Sequence, residues 1–356
     1  MALDNNTYRD RIRGCLVGGG AGDALGYAVE FENLKEIRKE YGEKGITEYN
    51  VDFETGTAVI SDDTQMTLFT ADGILSAMGA GITAPASRKL YPYVHTAYCD
   101  WFATQRGTSP GRPVKDQPVS ELADIPDLHA RRAPGITCMK ALSTPRKRDL
   151  YHPVNDSKGC GGIMRVAPVG LLYPEASLEQ VVEMGAEISA ITHGHVLGCF
   201  TSGIFAAIVH QAVYSEEDRS LAAMTARATD AARNLYGKSI YWDDLQELID
   251  KAVDFAGNDR SDEKNIKELG GGWVGEDALA IALYCALKYE NDFSACIIAA
   301  VNHDGDSDST GAIAGNMLGA LHGYEAIDSK WKTKLEMKWL LLKMADRIGD
   351  RVLPEA

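Results

Sequence analysis

The chain has 356 residues, 45% of them hydrophobic and 24% charged, ordinary proportions for a globular protein with ample length to bury a core. A formal net charge of −15, with no basic stripe to offset it, excludes general binding to nucleic acid or to an anionic membrane. Cysteines 15, 99, 138, 160, 199, 285 and 296 form no CxxC pair, which argues against zinc and disulfides and for reduced thiols in a cytoplasmic protein.

The N-terminal segment lacks an apolar h-region, so no secretory signal is expected. Residues 8–28 read as a Gly- and Ala-rich helix suited to close packing, and 46–60 as the one plausible extended piece. Residues 62–79 set Leu68, Ala71, Leu75 and Met78 at steps of three and four, a helical pattern. Further helices are expected over 178–192, 195–214, 217–235, 243–256, 275–289, 293–302, 309–322 and 330–347. Seven of the twelve prolines fall between Pro110 and Pro153, so 103–156 should be irregular and border the substrate entrance. Residues 188–213 carry no Asp, Glu, Lys or Arg. Ser189, Thr192, His193, His195, Thr201, Ser202 and His210 interrupt the span, so a helix buried inside the protein is expected rather than a membrane crossing. No boundary divides the chain, and the expectation is one all-α domain over 1–356.

The chemistry concentrates in two clusters about 240 residues apart, Ser61-Asp62-Asp63-Thr64 and Asp304-Gly305-Asp306-Ser307-Asp308-Ser309. Both stand at expected helix starts, where one Asp or Ser suffices as a cap. The carboxylate density exceeds that need, and oxygen donors of this kind hold hard cations such as Mg²⁺ or Ca²⁺. An EF-hand is excluded, because its sixth and twelfth positions fall on Ser309 and Gly315 instead of Gly and Glu. Two loops converging at helix N-termini would instead share two cations about 4 Å apart, as in two-metal hydrolases. Glu30 is placed to reach such a centre. The glycines of 18–26 end in no Gly-Lys-Ser/Thr and so are helix-packing glycines rather than a phosphate loop.

Ser157, Gly159, Cys160, Gly161 and Gly162 form a Gly-rich loop whose free N–H groups suit a phosphate or ribose, though a flexible turn has the same composition. His193 and His195 stand two apart, on different helix faces, so a zinc pair is unfavoured and a single substrate-contacting His is the better reading. Trp273, after three glycines, could lie on a flat ligand such as adenine or pack in the core.

Taken together, GCLVGGGAGDALG, SDDT, SKGCGGIMRVAPVGLL, THGH, GGGWVGEDALAIALYCAL and GDSDSTGAIAGNMLGALHG resemble the ADP-ribosylglycohydrolases, of the type that reactivates dinitrogenase reductase. The likeness runs from Gly14 to about Gly323. It implies an all-α bundle with two Mg²⁺ or Mn²⁺ ions in a cleft, held by Ser61, Asp62, Asp63, Asp306, Asp308 and Ser309. It also implies a glutamate at Glu30, an acid at Asp100 by a looser alignment, a phosphate and ribose loop at Ser157 to Gly162, and a ribose-side histidine at His193. Relatives often carry Thr where this chain has Ser61 and Ser309; serine keeps the oxygen but lacks the methyl that restrains χ1. The implied activity is removal of ADP-ribose from a modified side chain, arginine first, by cleavage at C1″ of the distal ribose. Glu30, Asp62, Asp308 or Asp100 would do the carboxylate chemistry, and the partner would be an ADP-ribosylated protein or an ADP-ribose-bearing small molecule. The alternatives are a non-catalytic ADP-ribose-binding relative and a two-metal phosphoesterase acting on a nucleotide.

Overall fold

The computed structural model describes residues 5–108, 118–144 and 149–353. In chain order its helices are α1 Asn5–Tyr27, α2 Leu34–Tyr41, α3 Asp62–Gly79, α4 Ser87–Arg106, α5 Ile136–Leu142, α6 Ala167–Leu171, α7 Leu178–Ser189 and α8 Val196–Tyr214. They continue as α9 Leu221–Tyr236, α10 Trp242–Ala256, α11 Asp262–Leu269, α12 Gly275–Lys288, α13 Phe293–Val301, α14 Ser307–His322, α15 Ser329–Thr333 and α16 Lys338–Val352. Among the described residues there is no sheet, only isolated bridges such as Ala58 to Leu335 and Gly159 to Val274. The fold is all-α, as the sequence indicates.

One helix pair positions everything else. Gly14, Gly18, Gly22 and Gly26 recur every four residues and so line one face of α1. A Cβ on Gly14 would run into the carbonyl of Gly319, on Gly18 into that of Gly315, on Gly22 into that of Gly311, and on Gly26 into that of Ser307. The descending partner numbers mean that α1 and α14 run antiparallel with their backbones touching. Asn316 Nδ2 closes the seam on Cys15 O at 2.8 Å. The C-terminal end of α1, with Asp23 and then Glu30, is thereby carried beside the N-terminal end of α14, with Asp306 and Asp308.

Helix α8 is long and apolar enough to cross a membrane, yet 94% of its apolar window is buried inside the protein, where it contacts α7, α9, α6 and α14. The expected helix over 330–347 divides into α15 and α16. Residues between them turn to pair with Ala58, which donates to Lys334 O at 2.8 Å while Glu336 N donates to Ala58 O at 3.0 Å. That bridge is all the strand character that 46–60 acquires; the rest is turns and loop. Helix α4 carries Pro92 inside it and reads poorly from sequence for that reason. Part of the Pro-rich stretch lies outside the described residues. Its described part holds two 3₁₀ turns, Glu121–Asp124 and Pro126–His129, and the short α5.

Candidate active site

At the start of α3, Ser61 is the N-cap, its hydroxyl accepting from Asp63 N at 3.1 Å. The whole turn is held from below by Asp23, fully buried, whose carboxylate accepts from Ser61 N at 3.0 Å, from Thr64 N at 3.1 Å and from the Thr64 hydroxyl. From above, the 130–135 loop closes over it: Asp62 N donates to Arg132 O at 3.0 Å and Gly135 N to Asp62 Oδ2 at 3.2 Å. The Pro-rich segment therefore does border the acidic site.

Across the cleft, α14 begins two residues earlier than expected, with Asp306 as its N-cap accepting from Ser309 N at 3.3 Å. Asp308 Oδ1 takes the same amide at 2.8 Å. Asp63 lies close enough to Ser309 for that hydroxyl to help stabilise its carboxylate, so the two distant clusters meet. Asp304 does not join them. It is exposed and accepts from Leu34 N at 2.6 Å, holding the first turn of α2. Capping thus explains that carboxylate but not its neighbours.

Asp62, Asp63, Asp306 and Asp308 are each at most 4% exposed and Glu30 is 8% exposed, with no basic side chain paired to any of them among the described residues. Burial, then the charges of Asp306, Asp62 and Asp23, push Glu30 up to about 9. Burial, opposed by the Gly135 amide, with the charges of Asp23 and Asp306 adding to it, pushes Asp62 up to about 8. Asp63 and Asp308 are raised well above the usual carboxylate range, again by burial first, then by the charges of Asp23, Asp62 and Asp306 on Asp63 and of Asp63, Asp306 and Glu30 on Asp308. The positive ends of α3 and α14 offset part of this repulsion. Two oxygens, Asp63 Oδ2 and Glu30 Oε2, are fully buried without a hydrogen-bond partner. Orphaned carboxylate oxygens in a dry acidic cleft are what a hard divalent cation satisfies. Among the described residues no group of three or more His, Cys, Asp or Glu side chains is gathered closely enough to hold a metal ion as it stands. The donor set fits Mg²⁺ or Mn²⁺ used as Mg²⁺ typically is, through one or two carboxylates each, with hydroxyls such as Ser61 and Ser309 and with water.

The Gly-rich loop lies against the same cleft. Cys160, half-buried with its thiol held protonated by burial and by the Asp306 charge, donates to Asp306 Oδ2 at 2.8 Å. Cys160 N donates to Trp273 O at 3.1 Å, Gly275 N to Lys158 O at 2.8 Å, and Lys158 pairs with Glu276, so the loop is braced on the Gly270–Gly275 turn. That turn is joined to α14 in its turn, with Asp306 N donating to Gly271 O at 2.9 Å. Ser157 Oγ accepts from Gly159 N at 3.3 Å. Gly161 faces the His193 ring, while Gly162 is buried against Ser189 and Ser202. Trp273 is 46% exposed and stacks on Phe31, 74% exposed, with centroids 6.4 Å apart and planes inclined by 24°. The core reading of Trp273 is corrected; the indole stands at the rim. Asp100 is fully buried on α4, where it accepts from Ser120 N at 2.9 Å and so ties down the start of the Glu121–Asp124 turn. Asp23 is the site residue that sequence reasoning overlooks, because inside a glycine-rich helix nothing marks which neighbour its carboxylate meets.

The fully helical fold thus brings a cluster of buried carboxylates and a glycine-rich loop to one place. The family model for ADP-ribosylglycohydrolase matches residues 4–355, and the chain belongs to that family, the hydrolases of bonds to ADP-ribose. It is 28% identical to an uncharacterised protein of Archaeoglobus fulgidus, covering 95% of this chain and 96% of that one. It is 26% identical to mouse ADP-ribosylhydrolase ARH3 over 92% of this chain and 87% of that one. It is also 26% identical to the ADP-ribosyl-[dinitrogen reductase] glycohydrolase of Rhodospirillum rubrum, over 93% and 92%. A solved ADP-ribosylglycohydrolase-related protein complex shares the fold, with TM-score 0.63 and 19% identity over 98% of this chain and 100% of that one.

Proposed function

We propose that this protein hydrolyses the bond between C1″ of ADP-ribose and a modified arginine side chain, using two Mg²⁺ or Mn²⁺ ions in the acidic cleft. The observation that carries this reading is the meeting of the α3 and α14 N-termini, which crowds four buried aspartates and Glu30 together and leaves two of their oxygens without a partner. When bound, a divalent pair supplies positive charge, sites for the ribose hydroxyls and activation of a water. The chain's own part is to hold and to move a proton. Glu30, Asp62 or Asp308 would take the proton of the attacking water. The remaining carboxylates face the positive charge that develops at C1″ in an oxocarbenium-like transition state. Asp23 keeps Ser61 and Asp62 in register by holding the turn that carries them.

The preference for arginine is supported by the exposed Phe31–Trp273 pair, which follows Glu30 directly in the chain at one end and the Gly-rich turn at the other. A planar guanidinium stacks on such faces beside an acidic cluster, whereas a serine leaving group has no flat cation to offer. Arginine-linked and serine-linked ADP-ribosylated peptides assayed with Mg²⁺ and with chelator test this. Intact ADP-ribose released from the arginine peptide, and lost with chelator, is the expected result. Release of AMP would replace the reading with a phosphoesterase, and equal turnover of the serine peptide would remove the arginine preference.

A further inference from the structure

Behind the Gly-rich loop runs a line of buried polar groups that the carboxylate chemistry does not use. Arg165 is fully buried, with its guanidinium over the Tyr98 ring at 4.5 Å. Its Nη2 donates to Thr192 Oγ1 at 2.6 Å, and the same oxygen lies 2.8 Å from His193 Nδ1. Arginine has only donors, so Thr192 must accept from it. Its hydroxyl proton then needs an acceptor. The other neighbour, the Cys138 thiol, is 4.0 Å away and stands as a donor, which leaves His193 Nδ1. A neutral imidazole that accepts at Nδ1 carries its proton on Nε2.

The outer end of that ring makes no hydrogen bond to the protein among the described residues: His193 is 2% exposed, and its ring bonds through Nδ1. It is aimed at the ligand loop, since a Cβ placed on Gly159 would stand 3.4 Å from Nε2 and one on Gly161 3.2 Å from it. The two glycines keep open the space a ligand atom would occupy. Burial, with the charge of Arg165, drives the imidazole pKa down to about 3, so the ring stays neutral with one donor only.

We propose that Arg165 and Thr192 are positioning residues that lock His193 in its Nε2–H tautomer, making it a fixed donor to an acceptor oxygen of the ADP-ribose held at Gly159 to Gly161. The ligand half rests on the function proposed above; the tautomer half stands on the protein alone. The acceptor is a ribose hydroxyl or a phosphate oxygen, which share this chemistry.

The test uses the full chain with ¹⁵N-labelled histidine and the variants Thr192→Val, Thr192→Ser and His193→Gln, the last to assign the signal. In the wild type, the ligand-free His193 resonance is expected to report Nε2–H, and Thr192→Val to lose that fixed tautomer with Thr192→Ser restoring it. ADP-ribose affinity is expected to fall about tenfold in Thr192→Val and to return in Thr192→Ser. A parallel fall for ADP places the contact on phosphate, and a fall for ADP-ribose alone places it on the distal ribose. An Nδ1–H wild type, or Thr192→Val with tautomer and affinity unchanged, overturns the relay. A wild type with the expected tautomer that binds no ADP-ribose overturns the functional reading and the ligand half with it.

Discussion

Asp23→Ala separates scaffold from chemistry at this site. The carboxylate is fully buried and receives Ser61 N, Thr64 N and the Thr64 hydroxyl. Stranding buried donors costs roughly 1–3 kcal/mol each, or about 5 kcal/mol for the three. Against this stands the price of keeping Asp23 ionised. Burial, only partly offset by those same donors, lifts its pKa from 3.8 to about 6, and the difference, 6 − 3.8 or about 2 pH units, corresponds to ~3 kcal/mol at pH 7. Alanine removes both contributions, so the variant should be about 2 kcal/mol less stable than the wild type at pH 7. The sign of the pH effect follows from linkage. A raised folded pKa means that the folded wild type holds the proton more tightly than the unfolded chain, so the ionisation penalty fades as pH falls toward 4. The deficit of Asp23→Ala should therefore widen by about 1–2 kcal/mol between pH 7 and pH 5. Urea unfolding in chelator at both pH values measures it. A deficit below about 0.5 kcal/mol at both, or one that narrows at pH 5, would refute the scaffold role.

The other expectations concern repulsion and close packing. Asp308→Asn should raise cation-free stability by about 1–3 kcal/mol, by relieving a buried carboxylate crowded by Asp63, Asp306 and Glu30, while abolishing turnover and stabilisation by Mg²⁺. Calorimetry with and without Mg²⁺ reads both. Glu30, raised from 4.5 to about 9, and Asp62, raised from 3.8 to about 8, hold protons in the folded state that the unfolded chain has lost. The stability of the cation-free protein should thus fall as pH rises through that window, and the gain from Mg²⁺, which displaces those protons, should be larger at pH 9 than at pH 6. A gain in melting temperature that is independent of pH would contradict this. Gly22→Ala drives a methyl into the Gly311 carbonyl and should cost about 3 kcal/mol or more, whereas Gly79→Ala, at a helix end with open space around it, should be neutral or slightly stabilising in the same unfolding assay.

Much of this molecule was legible before any coordinates. The Gly- and Ala-rich helix of 8–28, the acidic clusters of 61–64 and 304–309 at expected helix starts, and the uncharged span of 188–213 are local patterns, and local backbone physics decides local patterns. What the linear order could not supply was which side chains meet. Asp304 sits in the same short run as Asp306 and Asp308 yet turns away to α2. Asp23, unmarked among glycines, becomes the brace of α3. Residues 334–337 abandon a helix to pair with Ala58, and Trp273 reaches Phe31 at the rim. Helix periodicity assigns a residue to a face, but the partner of that face is set by the crossing of chain segments hundreds of residues apart. Here that crossing is the backbone contact of α1 with α14. Composition made the contact possible; only its three-dimensional closure gathered the acids into one cleft.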